Sequence, residues 1–294
     1  MTVYDLRAGS EIEKIDLPVS VALGNFDGLH IGHRELIRQA KCSDMKCCVF
    51  TFRQNPFGSP YIIDIEEKLK LLYDMGVDYA GVFDFCEIRD MTPESFVTDI
   101  LTDRLNAYRC VCGFNFRFGK DAGGDAAMLK SLMLERGREV LIVDAVEYEG
   151  EAVSSSRIRR CLSSGDIEGA NAMLGRAYSV KYRVSHGNKI GRSLGFPTVN
   201  QALKEGSVRL PYGVYICSCM GHAAVTNFGV RPTVTDKNEP YFETFIIGYE
   251  GDLYGEEISV DFYRMLRPEK KFSTYEELSR QIALDVEATK EYFQ

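Results

Sequence analysis

Two histidines stand three residues apart in a glycine-rich stretch, Gly24-Asn25-Phe26-Asp27-Gly28-Leu29-His30-Ile31-Gly32-His33. The apolar run VSVALG leads into it and the helically spaced HRELIRQA leaves it, so the stretch is a strand-to-helix turn. Glycine lets backbone approach a phosphate closely, and the first turn of a helix offers unpaired N–H groups to an anion. Gly24, Asn25, Phe26, Asp27 and Gly32 are therefore candidate nucleotide-binding positions. On the first helical turn His30 and His33 share one face. Two imidazoles above phosphate-binding amides can stabilise charge growing on a phosphoryl group, with no covalent intermediate. Only four histidines occur in the chain, so pairing two of them here weighs against a plain helix cap. The order H-x-G-H is not the H-E-x-x-H of a zinc peptidase.

Three further constellations carry chemistry. In Ser154-Ser155-Ser156-Arg157-Ile158-Arg159-Arg160, hydroxyls at a helix start are followed by arginines. That pattern can hold a triphosphate tail, and it can equally be a serine-rich cap with a solvated basic face. The segment from His186 to Asn200, HGNKIGRSLGFPTVN, falls one residue short of a Walker A loop and lacks its lysine. Its glycines still suit a nucleotide-phosphate loop through Gly187, Lys189, Gly191 and Arg192, with a turn-rich connector as the plain alternative. Thr198 and Asn200 carry oxygens suited to the Mg²⁺ side of ATP. Glu243 lies inside a strand-like run, YFETFIIGYE, where a carboxylate is unusual, although alternation by itself can turn it to solvent.

The elements that position these residues change character along the chain. Up to about residue 175, strand-like and helix-like patterns alternate: VSVALG, HRELIRQA, CCVFTF, EEKLKLLYDMG, DYAGVFDF, PESFVTDILTDRL, YRCVCG, DAAMLKSLMLERG and REVLIVDAV. Alternation of this kind predicts a doubly wound parallel sheet with helices on both faces. Two short helical patterns follow, each ended by glycine. From residue 178 the pattern is short strands separated by Gly, Pro and Asn, which suggests a small barrel or sandwich; the fold class expected is a small antiparallel β-barrel with a terminal helix. The chain closes on STYEELSRQIALDVEATKEYF, where Thr274 and Glu277 fit a capping box and Leu278, Ile282 and Val286 form an apolar stripe. The expected domains are residues 1–177 and 178–294.

Length and composition agree with this. At about 150 residues per domain, 294 residues make about two. The chain is 45% hydrophobic and 27% charged, ordinary for a globular protein, and its net charge is −8. An acidic chain is a poor general binder of nucleic acid. No apolar run reaches the about 18 residues of a membrane helix, and the acidic, broken N-terminus is not a signal peptide. A cytoplasmic protein is expected, without nucleic-acid or membrane partners; its oligomeric state is not legible. The nine cysteines form no paired C-x-x-C motif and read as small buried hydrophobes in a reducing compartment.

GNFDGLHIGH, VCGFNFRFGKDAGGD and VSSSRIR resemble the adenylyltransferase module of bacterial bifunctional riboflavin kinase/FAD synthetases. GRSLGFPTVN is similar to the riboflavin kinase signature of the same family, and NFGVRPT, GDLYG, LRPEKKF and the closing helix follow it in order. The resemblance implies that the first domain transfers AMP from ATP to FMN, giving FAD, through Asn115, His30, His33, Ser155, Ser156 and Arg159. It implies that the second phosphorylates riboflavin, with Thr198 and Asn200 on Mg-ATP, Glu243 as base on the 5′-hydroxyl, and Arg231 and Phe242 toward the flavin. Magnesium, ATP, riboflavin and FMN are the implied small-molecule partners. The chain departs from the family pattern at Asn55, where a histidine is expected, at Phe114, where an acidic residue is common, and at Tyr182, where glycine is preferred. Two rival readings stand beside this one: a riboflavin kinase with a degenerate, nucleotide-sensing first domain, and a non-enzymatic flavin-binding regulator.

Overall fold

The computed structural model describes residues 1–6, 14–42, 44–185, 196–230 and 240–294. The chain divides into two compact units, Met1–Ser155 and Ser156–Gln294.

The first unit is built on six parallel strands: β1 (Thr2–Leu6), β2 (Val19–Leu23), β3 (Lys46–Phe52), β4 (Tyr79–Phe83), β5 (Ala107–Gly113) and β8 (Glu139–Val143), in the order β1-β4-β3-β2-β5-β8. Two-residue pairs β6 (Arg117–Phe118) with β7 (Gly124–Asp125), and β9 (Glu147–Tyr148) with β10 (Glu151–Ala152), decorate it. Val19, Val21, Leu23, Cys48 and Phe50 are almost wholly buried, as expected of central parallel strands. The helices are α1 (Ile31–Lys41), α2 (Ile65–Asp74), α3 (Phe85–Ile88), α4 (Pro93–Ser95) and α5 (Ala126–Leu134). Helix α1 turns Leu36, Ile37 and Ala40 inward and carries Arg38 and Lys41 in its last turn, where cations complement the helix dipole. The strand order, not the strand direction, reverses between β2 and β5. Ligands gather outside the carboxyl ends of strands at such a switch point, and the H-x-G-H turn follows β2 directly.

Two features depart from the sequence expectation. The N-terminal segment contains β1, paired in parallel with β4. It is short and half polar, and its partner lies more than seventy residues on, so only tertiary pairing defines it. The helix expected over PESFVTDILTDRL is α-helical only at α4; Phe96–Arg104 is π-wound.

The second unit begins within α6 (Ser155–Ser164) and continues through α7 (Ile167–Leu174). Helix α7 is tied to the following sheet. Asn171 Nδ2 donates to the Phe262 carbonyl at 2.8 Å, Asn171 Oδ1 accepts from Tyr178 N at 2.7 Å, and Glu168 ion-pairs with Arg264 at 2.6 Å. The sheet comprises β11 (Tyr178–Arg183), β12 (Thr198–Ala202), β13 (Gly213–Cys219), β14 (His222–Val230), β15 (Pro240–Ile246) and β16 (Glu257–Pro268), antiparallel throughout in the order β11-β16-β13-β14-β15-β12. Ser185, just past β11, bridges to Asn200 of β12 and brings the two edges together. The inside is aromatic: Phe228, Phe242 and Phe262 pack with Tyr182 and Tyr215. Strand β12 begins within PTVN, which reads as loop because Pro197, the neighbouring glycines and Asn200 are turn formers.

The closing helix α8 (Tyr275–Tyr292) is capped by Thr274, whose Oγ1 accepts from Glu277 N at 3.2 Å. Glu277 returns to Ser273 N at 3.0 Å, one residue before the cap. Ile282 and Val286 pack on Val214 and Val225. Asp285, also on the inward face, takes a forked bond from Arg267 of β16.

Candidate active sites

His30 is the N-cap of α1, a position usually held by Ser, Thr, Asp or Asn. Its Nδ1 accepts from His33 N at 3.2 Å. In the neutral ring the proton therefore sits on Nε2. The two imidazoles stack with centroids 3.5 Å apart and planes 16° apart. A Cβ on Gly32 would lie 3.2 Å from His30 Nδ1, so the residue between the histidines is held to glycine by close approach. Burial, then the His30 ring, then the Lys68 charge hold the His33 pKa well below the usual 6.5. Its Nδ1 is buried without a hydrogen-bond partner among the described residues. The turn before α1 is strained: Phe26 and Leu29 have φ of 55° and 43°, and Gly28 has φ of 81°. Conformations of this kind persist where surrounding structure over-determines them, and they cluster at functional sites.

That surrounding structure is visible residue by residue. Phe26 is fully buried and packs on His33 at 4.9 Å. Asp27, also fully buried, spends its carboxylate on the chain itself: Oδ1 accepts from Ile62 N at 2.9 Å and Ile63 N at 3.3 Å, and Oδ2 from Asn55 Nδ2 at 2.9 Å. Asn55 Oδ1 accepts from Asn25 Nδ2 at 2.6 Å. The departure at position 55 is thus a side chain that ties the H-x-G-H turn to the segment after β3. Ser155 Oγ donates to the Asp27 carbonyl at 2.9 Å, so this serine holds the turn as well. Ser156 is exposed and Arg159 half-buried on α6, in the second unit.

Beside the turn opens a cavity of about 870 Å³, and Gly24, Asn25 and Asn115 line it.

 This 870 Å³ cavity stands at the carboxyl ends of β2, β3 and β5, and its walls are aromatic: Phe52, Phe85, Phe96 and Phe116 among them. Phe96 begins the π-wound stretch and packs at a tilt against Phe118, ring centroids 5.3 Å apart. A volume and lining of this kind suit a planar aromatic ligand. Asn25 Oδ1 is buried without a partner among the described residues, which leaves a polar atom for a bound group. The phenylalanines were not legible as a site, because aromatic residues in strands and helices read as core.

In the second unit Thr198 and Asn200 line a cavity of 390 Å³ with Thr244, Tyr249, Asp252 and Tyr254. They lie two apart on β12 and so share a face. The pairing register sets Asn200 opposite Glu243, and Glu243 opposite Asn227 of β14. Directly opposed side chains have Cβ atoms about 4.5–5.5 Å apart, so a polar row, Asn200-Glu243-Asn227, crosses three strands. Sequence reasoning missed Asn227, whose only signal is its phase within the strand. Phe242, expected near the flavin, points the other way and packs on Phe228 at 4.5 Å inside the barrel. Phe245 shares the Glu243 face and packs edge-on against Phe196 at 5.4 Å. Gly187, Lys189, Gly191, Arg192 and Arg231 lie outside the described residues.

Among the described residues no three His, Cys, Asp or Glu side chains gather as a cation site. Thr198 and Asn200 offer neutral oxygens on one face beside a cavity, which fits Mg²⁺: it takes few protein ligands and completes its shell with phosphate and water. No described helix is long and apolar enough to cross a membrane.

Two family models match the chain, one described as FAD synthetase over residues 12–157 and one as riboflavin kinase over residues 174–293. A Buchnera aphidicola protein named bifunctional riboflavin kinase/FMN adenylyltransferase is 32% identical, with 98% of each chain covered. Proteins of the same name from Listeria monocytogenes and Escherichia coli K12 are 32% and 30% identical, covering 99% and 93% of this chain. A solved Streptococcus pneumoniae structure, described as a macrolide-efflux protein, is 29% identical with a TM-score of 0.88, covering 99% of both chains.

Proposed function

The chain belongs to the family of bifunctional riboflavin kinase/FMN adenylyltransferases, and from that premise we propose that it makes FMN from riboflavin and then FAD from FMN, each step using ATP. The observation that carries the reading is the stacked His30–His33 pair capping α1 beside an aromatic cavity at the switch point of the parallel sheet. We assign adenylyl transfer to residues 1–177 and the kinase to residues 178–294, in the cytoplasm, where the nine unpaired cysteines suit a reducing milieu.

In the kinase step Glu243 accepts the proton of the riboflavin 5′-hydroxyl as its oxygen attacks the γ-phosphate of ATP and ADP leaves. Thr198 and Asn200 hold the metal side of the nucleotide. Magnesium, when bound, neutralises charge on the phosphate oxygens. Asn227 and Asn200 flank Glu243 and orient it.

In the adenylyl step an oxygen of the FMN phosphate attacks the α-phosphorus of ATP, and the bond to the β-phosphate oxygen breaks to release pyrophosphate. No base is needed, since the FMN phosphate is already ionised. The chain aligns the groups and stabilises the charge that grows on the α-phosphate. His30 donates from Nε2, His33 lies stacked on it, and the first N–H groups of α1 face the anion. Asn115 and Asn25 border the aromatic cavity, which takes the isoalloxazine. Ser155 fixes the turn from behind, and Ser156 and Arg159 serve the nucleotide phosphates.

The test is a product assay with riboflavin and Mg-ATP. FAD supports the reading. FMN alone would favour a kinase with a degenerate first domain, and neither product a flavin-binding regulator.

A further inference from the structure

Helix α2 carries a lysine, Lys68, whose side chain is only 3% exposed. A buried ammonium is costly unless its protons are matched. Here Nζ donates to the Asn25 carbonyl at 2.9 Å, to Thr51 Oγ1 at 3.2 Å and to the Phe52 carbonyl at 3.0 Å. All three acceptors are neutral oxygens. Thr51 Oγ1 donates in turn to the same Asn25 carbonyl at 2.7 Å. The lysine therefore joins the start of the H-x-G-H turn to the carboxyl end of β3.

A hydroxyl or an amide would make such a tie without the cost of desolvating a full charge. What Lys68 adds is positive potential under a turn built for phosphate, in surroundings where a charge acts strongly. The balancing carboxylate, Asp27, keeps its oxygens on Ile62, Ile63 and Asn55 rather than on Nζ. Burial brings the Lys68 pKa down to about 8 against the pull of Asp27, so the group is still mostly cationic at neutral pH. Its charge reaches the catalytic pair, since it helps hold His33 neutral.

We propose that Lys68 is a positioning residue for adenylyl transfer, its buried ammonium fixing the Asn25 end of the phosphate-binding turn and supplying positive charge beneath it. The inference rests on the assignment of adenylyl transfer to this turn.

The test uses the full-length protein with Lys68→Met, Lys68→Gln and Thr51→Val. Thr51→Val removes the other donor to the Asn25 carbonyl and leaves the charge. Lys68→Gln keeps a donor without charge, and serves if Lys68→Met fails to fold by circular dichroism. FAD formation from supplied FMN and Mg-ATP should lose about tenfold or more in kcat in the Lys68 variants, a fraction of what a direct donor contributes. FMN formation from riboflavin should be unchanged. The His33 imidazole, followed by NMR, should titrate at higher pH once the Lys68 charge is gone, and Thr51→Val should leave that midpoint in place. Wild-type kcat in Lys68→Gln, or an unmoved His33 midpoint, would overturn the proposal. Failure of the underlying assignment shows differently: His30→Ala would then keep full FAD formation.

Discussion

Asn200 on β12 stands directly across the antiparallel pair from Glu243 on β15. The two come from segments more than forty residues apart, and one register step would send either to the opposite face. The pairing sets the proposed base beside a proposed metal-side ligand. Glu243→Gln keeps size and hydrogen bonding but cannot take a proton. Riboflavin binding, read by fluorescence quenching, should persist while single-turnover FMN formation falls about 10²–10⁴-fold. FAD formation from supplied FMN should survive. A variant retaining more than about a tenth of the kinase rate would make Glu243 structural.

His30→Ala and His33→Ala should each slow FAD formation by about a hundredfold or more, the loss expected for one preorganised donor, and leave FMN formation near wild type. Chromatography of both products checks this.

The His33 environment also has a pH signature. Its folded pKa lies below the usual 6.5. Between those two values the unfolded chain holds a proton that the folded chain does not, so stability rises with pH across the window. This contribution is whole above about 6.5 and is lost as pH falls through the folded value. Urea midpoints at pH 7.5 and 5.5 should show a larger acid loss in wild type than in His33→Gln. An equal loss in both would mean that His33 carries no such linkage.

The Asp27 carboxylate accepts hydrogen bonds from Ile62 N, Ile63 N and Asn55 Nδ2. Asp27→Ala leaves buried donors unmatched and should cost about 1–3 kcal/mol for each group left bare. Thermal unfolding and the FAD assay should both report the damage, with FMN formation spared.

Arg267 and Asp285 clamp α8 to β16 through a forked ion pair, with Asp285 at 7% and Arg267 at 21% side-chain exposure. Removing one partner of a buried pair costs about 3–5 kcal/mol. Asp285→Ala should fall toward the lower end, because Arg267 can partly rehydrate. Denaturant unfolding of the wild type and the variant measures it.

Because α7 is bonded to β11 and β16, a fragment starting at Ser156 should unfold at higher temperature than one starting at Tyr178. Both should make FMN if the kinase residues suffice. Equal melting temperatures would show that α7 adds nothing to the second unit.

Much of this was legible without coordinates. The H-x-G-H turn announces itself because a strand-to-helix turn and its glycines are local features, fixed by neighbours within ten residues. The change from alternating strand and helix to short strands is equally local in cause. The aromatic cavity was not legible, since Phe52, Phe85, Phe96 and Phe116 come from separate segments of the chain and each alone reads as core. Lys68 looks like a solvated charge in EEKLKLLYDMG; only its contacts with Asn25, Thr51 and Phe52, from distant segments, reveal that it is buried.

The sequence by itself determined the family, the parallel-sheet and barrel architectures, and which residue types could do the chemistry, because these follow from short-range pattern. Only the tertiary structure decided that Asp27 and Ser155 hold the turn, that Asn55 joins them, that Phe242 faces inward, and that Glu243 lies in a row with Asn200 and Asn227. Each of those outcomes depends on strand register or on a contact between distant segments, and side-chain direction in a sheet is settled by pairing partners that the local sequence does not contain.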